Sequence, residues 1–129
     1  MANEIDVTVA LAMSKVGVSA SRSEGFKVTM GGDAITHSVQ AIGTSAEVLA
    51  LSAEFAASAK DGWIFIKNLD STNYVEFGSV EVTSTDGDDA AEYAIKLLAG
   101  ESCAFRAAST IYAKANTATC NVEFLAIEE

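Results

Sequence analysis

The chain has 129 residues, half of them hydrophobic, and its 18 acidic and 8 basic residues give a formal net charge of −10. That length suits one domain burying a single core without a staple. The acidic field repels phosphate backbones and anionic lipid surfaces, and no lysine or arginine cluster offsets it, which argues against nucleic acid and membrane as partners.

The opening stretch MANEIDVTV places an acid where a secretory leader carries positive charge, and no apolar run approaches the roughly 18 to 20 residues of a membrane-spanning helix. The expected compartment is therefore the cytosol. From there Ile5, Val7, Val9, Leu11 and Met13 alternate with Asp6, Thr8, Ala10 and Ala12, a period of two that predicts a long strand with one buried face. The phase changes near Ser14 and Lys15, which predicts a turn or bulge, and the polar stretch at 19–24 reads as a loop or exposed arm. Phe26, Val28 and Met30 resume the alternation up to Gly31, Gly32 and Asp33. Next, Ile35, Val39 and Ala41 share a phase with His37, with Gly43 closing the segment.

Residues 44–60 are rich in helix formers, yet Leu49, Leu51, Ala53 and Phe55 also fit extended spacing; the reading is a strand near 47–51 followed by an irregular or briefly helical connection. The stretch GWIFIKNLDSTNYVEFG, residues 62–78, reads as a complete β-hairpin. Trp63, Ile64, Phe65 and Ile66 are apolar on both faces, whereas Val75 and Phe77 alternate with Tyr74 and Glu76. A strand apolar on both sides predicts a core on one side and a loop or a neighbouring subunit on the other.

Val80 and Val82 continue the alternation into a Ser/Thr/Gly/Asp loop at 83–89. Tyr93, Ile95 and Leu97 precede the Gly100-Glu101 turn, and Cys103, Phe105 and Ala107 form the next apolar phase. Ile111, Ala113 and Ala115 lead to the Asn116-Thr117 turn, and Val122 and Phe124 run into Leu125 and Ile127. Turn signals recurring every 8 to 12 residues or so mark a sandwich or barrel. The expectation is a single-domain antiparallel β-sandwich over residues 1–129, jelly-roll-like, with about nine or ten strands; residues 1–22 form a strand plus an exposed arm.

Motifs for catalysis are almost wholly missing from the sequence. The one histidine, His37, shares a phase with Ile35 and Val39 and reads as a core-edge residue; no phosphate-cradling loop or nucleophile elbow is present. Cys103 and Cys120 fall in apolar phase and read as small buried thiols. Asp86, Asp88 and Asp89, beside Gly87, offer hard oxygen ligands for calcium, but the spacing lacks the rest of an EF-hand, so a solvated loop is the better reading. Aromatic residues including Trp63, Phe65, Tyr74 and Tyr112 could line a sugar platform; their alternating phase favours core packing. The expectation is a non-enzymatic protein with no cofactor and no small-molecule substrate.

The blocks VQAIGTSAEVLAL (39–51), GWIFIKNLDSTNYVEFG (62–78), IKLLAGESCAFRA (95–107) and IYAKANTATCNVEFLAIEE (111–129) resemble small structural proteins of tailed bacteriophages, some of which decorate or cement the head. The resemblance follows the strand framework over about two thirds of the chain and brings no catalytic residues. It implies a virion protein assembled in the bacterial host cytoplasm and carried on the capsid outer surface. There it would bridge major capsid protein subunits, as a homotrimer, against internal DNA pressure. Trp63, Ile64 and Ile66, with Ile5, Val7 and Val9 of the first strand, are the candidate subunit-interface residues. A tail or neck component and a carbohydrate-binding β-sandwich module are the alternatives.

Overall fold

A computed structural model describes residues 3–31, 35–50, 62–78, 94–107 and 111–128. These residues form ten strands and no helix: β1 Ile5–Lys15, β2 Val18–Val28, β3 Ile35–Ile42, β4 Glu47–Val48, β5 Gly62–Asn68, β6 Val75–Gly78, β7 Ile95–Leu97, β8 Ser102–Ala107, β9 Tyr112–Ala115 and β10 Cys120–Glu128. Every pairing is antiparallel. β1 pairs with β2 alone, one four-stranded sheet runs β3-β10-β5-β8, and the other runs β4-β9-β6-β7. The protein is all-β, and its two four-stranded sheets share one hydrophobic core in a sandwich-like arrangement.

The alternation of apolar residues decides which face of each strand enters that core. Ile42, Ile64, Ile66, Val122, Phe124 and Ala126 come from the first sheet, and Val75, Phe77, Leu97, Ala113 and Ala115 from the second. Large and small side chains are neighbours in register: Phe77 lies beside Ala113, Val75 beside Ala115, and Ile64 beside Ala126. An alanine-rich sequence can fill a sandwich in this way, because each alanine makes room for a ring or branched chain next to it.

Residues 62–78 do not close into the expected hairpin. β5 pairs with β10 and β8, whereas β6 pairs with β9 and β7, so the chain between them crosses from one sheet to the other. Asn68, fully buried at the crossing, fastens it: its Nδ2 donates to the carbonyls of Asn73 (2.8 Å) and Leu97 (3.1 Å), and its Oδ1 accepts from the Asp70 amide. The Leu69 amide donates to the Asn121 carbonyl at 2.9 Å. This short segment is thus tied to both sheets, which suits a crossing and not a tight reversal. Gly100, at φ +79°, turns the chain back from β7 to β8, and its amide donates to the Asn68 carbonyl.

The N-terminal strand also departs from expectation. Residues 19–24, expected as a loop or an exposed arm, are strand on an exposed arm: β1 and β2 pair along eleven positions from Ile5 with Val28 to Lys15 with Val18. The turn lies at Val16-Gly17, just beyond the phase change, and Gly17 takes the positive φ of +83° that the two-residue reversal needs. Only Ile5 and Val7 of the alternating apolar set are buried; residues 8–27 are all exposed. The hairpin is an arm that leaves the body after its first turn of pairing.

β3 carries its apolar phase outward. Ile42, at its end, enters the core, but Ile35, His37, Val39 and Ala41 occupy the opposite face and are exposed. His37 is therefore not a core-edge residue: its Nε2 lies 2.9 Å from Glu123 Oε2 on the outer surface. As an edge strand β3 overhangs the core, and its inward positions are polar. Gln40 uses this by donating to Glu47 and the Val48 carbonyl and accepting from the Ala50 amide, which joins β3 to β4 at the corner.

Candidate interaction surface

The outward face of the β3-β10-β5-β8 sheet is built in rows by its register. One row runs Ile35, Ile127, Trp63, Arg106, and the next His37, Leu125, Phe65, Ala104. Beyond them Val39, Glu123, Lys67 and Ser102 form a third. A sheet face turned to water normally alternates to polar residues. Here two rows are apolar but for Arg106 and His37, with Ile35 and Phe65 exposed in them and Val39 exposed in the third.

The root of the arm covers part of this face. Phe26 of β2 meets Trp63 with ring centroids 5.4 Å apart and tilted by 56°, and the Arg106 guanidinium lies 5.4 Å from the Trp63 ring centroid. Trp63 is therefore held between an aromatic edge and a cation, each a favourable geometry for its π-face. Its Nε1 is buried with no hydrogen-bond partner among the described residues. Between root and sheet lies a cleft of about 220 Å³, lined by Ile5, Val7, Trp63, Phe65, Leu125 and Ile127, among others. The cleft is mostly apolar, and the Asp6 carboxylate near it is paired with Lys27 Nζ at 3.0 Å.

Past the root, one face of the arm is apolar along β1 and carries the Arg22–Glu24 ion pair along β2. Val9, Leu11 and Met13 line up across from Glu24, Arg22 and Ala20. Leu11 is 79% exposed, and Val16 at the tip is 101% exposed. The other face carries small residues only: Ala10, Ala12 and Ser14 opposite Ser23, Ser21 and Ser19. Both outer edges of the hairpin leave their ladder groups unpaired among the described strands.

The residues expected at a subunit interface divide into four groups. Ile64 and Ile66 point into the core at 1% and 0% exposure, so they offer no surface; Trp63, in the opposite phase of β5, lies on the outer face. Ile5 and Val7 are buried at the arm root, and Val9 is exposed on the arm. Phe65, Ile35, Val39, Leu11 and Met13 complete the apolar surface without having been singled out. Phe65 was legible from its phase with Trp63, and Leu11 and Met13 from their phase with Val9. The outward turn of β3 had no local signal.

Asp86, Asp88 and Asp89 lie outside the described residues, and among the described residues no group of three or more His, Cys, Asp or Glu could hold a metal ion. Cys103 and Cys120 are both free thiols; burial pushes each up from the ordinary thiol range, and the Asp70 charge adds to this at Cys120. A raised thiol is a poor nucleophile at neutral pH. No described helix is long and apolar enough to cross a membrane. Comparison with protein-family models, with curated proteins and with solved structures found no match.

Proposed function

We propose that the chain is a non-enzymatic structural protein of a tailed bacteriophage virion, which decorates the outer capsid shell and cements it by bridging major capsid subunits as a homotrimer. The observation that carries this reading is the apolar outer sheet face continued by a projecting arm: surface of this kind in water marks a protein contact. The strand order supports it. Taking β3 to β10 as eight consecutive strands, one sheet runs first-eighth-third-sixth and the other second-seventh-fourth-fifth, and we infer a jelly-roll winding from that nesting. Jelly rolls recur in virion proteins and in lectins. The net charge of −10 keeps such a protein from the packaged genome.

Trp63 weighs against a sugar platform, because Phe26 and Arg106 already occupy its surroundings. The test is co-sedimentation of the purified protein with shells assembled from the major capsid protein of the same genome. Saturable binding and a higher disruption temperature of the shell are expected. Binding to isolated tails alone would transfer the protein to the tail or neck. A glycan-array signal lost in Trp63→Ala, without shell binding, would replace the reading with a carbohydrate-binding module.

A further inference from the structure

We propose that the β1–β2 hairpin is an exchange arm whose apolar face docks on the outer β3-β10-β5-β8 face of a second copy of this chain. This rests on the part of the foregoing reading that makes the chain self-associating, and not on the capsid. An isolated two-stranded hairpin is marginal in water and gains stability when an apolar face is covered. In this chain the root of the arm is covered by its own body, yet residues 8–27 are all exposed and include Val9, Leu11, Met13, Val16 and Val18.

Three observations select a second copy as the occupant. The first is charge. Residues 5–28 hold Lys15, Arg22 and Lys27 against Asp6 and Glu24, so the arm carries one positive unit and the remainder of the −10 chain carries eleven negative units. Arm and body of the same sequence therefore attract at long range, whereas two bodies repel; on the acceptor face itself Lys67 and Arg106 stand against Glu123, so charge steers the approach and apolar contact holds it. Lys15, at the tip, has no ion pair among the described residues, while Arg22 and Lys27 pair within the arm.

The second observation is size. The twenty exposed positions of residues 8–27 lie on both faces of the hairpin, so the face with Val9, Leu11 and Met13 supplies about half of them, a contact at the small end of interfaces whose standard side holds roughly 20 to 30 residues. The third is the acceptor. The same chain presents Ile35, Val39 and Phe65 exposed beside the apolar cleft, a surface able to take a side chain such as Leu11 into a preformed recess. Donor and acceptor are different patches of one molecule, so copies exchange arms either reciprocally in a two-fold pair or head-to-tail in a closed ring, the second being the arrangement of the trimer proposed above.

The test is complementation, read by light scattering coupled to size exclusion at about 50 μM. Wild type is expected at a multiple of 13.4 kDa. An arm-defective variant, Leu11→Asp with Met13→Asp, and a face-defective variant, Ile35→Asp with Val39→Asp, are each expected as monomers with unchanged circular dichroism, every substituted side chain being exposed. Association in each should weaken by roughly a hundredfold or more. Mixed, they should form a pair near twice 13.4 kDa, because one supplies an intact face and the other an intact arm. A monomeric wild type, an arm-defective variant that keeps the wild-type mass, or a mixture that stays monomeric would each overturn the proposal. Shell binding is measured separately: a wild-type oligomer that ignores shells refutes the capsid reading and leaves the exchange arm standing.

Discussion

Asn68 shows how one residue can hold two sheets together. Its side chain is fully buried and its amide reaches carbonyls of Asn73 and Leu97, the latter in the opposite sheet. Replacing it with leucine leaves those carbonyls without their donor in a dry site, and urea unfolding should show a loss of about 3 kcal/mol. Two residues on, Asp70 accepts the backbone amides of Asn73 and Thr72 on one carboxylate oxygen, and these bonds, Asn73 first, hold its carboxyl below the ordinary range. A carboxylate depressed in the folded state stabilises above its unfolded value, and that contribution fades as pH falls through the folded one. The stability difference between wild type and Asp70→Asn should therefore be flat from pH 7 to about 5 and shrink below about pH 4. An Asn-Leu-Asp-Ser-Thr-Asn run reads as a turn from its composition alone. That its first asparagine is buried and bonded across the sandwich depends on Leu97, twenty-nine positions away, and no local pattern carries that.

At the scale of strands, faces were legible for the sandwich strands other than β3, and partners were not. Ile111, Ala113 and Ala115, Val75 and Phe77, and Val122 and Phe124 all enter the core in the phase their alternation specifies. The period of two fixes which residues share a face, but it is silent about which strand lies alongside. Hence 62–78 looked like a hairpin while its halves belong to different sheets. β1 and β2 failed differently: the sequence Ser-Ala-Ser-Arg-Ser-Glu has no apolar alternation because the distal arm rests on no core, so nothing in the monomer required one. For the sandwich strands the fine fit of large beside small gives a sharper test. Ala113→Leu, beside Phe77, should overpack the space between the sheets and cost about 1–3 kcal/mol in chemical denaturation, whereas Ala104→Leu on the exposed outer face should change stability by no more than about 0.5 kcal/mol.

For the whole molecule, composition spoke to charge and fold class, and the candidate surface emerged only when the sheets were assembled. Trp63 and Val9 could be nominated from sequence; that they belong to one continuous apolar region could not, since Val39, Phe65 and Leu125 meet only through the pairing of β3, β5 and β10. The position of β10 has a further consequence, for how the chain comes off the ribosome. It lies between β3 and β5 and is synthesised after both, with Ile35 waiting for Ile127 and Ile66 for Phe124. Until it emerges, the first sheet is split down its middle, and two strands present open edges with no neighbour on that side. Closing such distant pairings is slow, because the entropy of a long loop is lost before any contact repays it. Folding of this body thus waits for β10 to emerge, and until then the exposed edges are what the nascent chain must keep from one another.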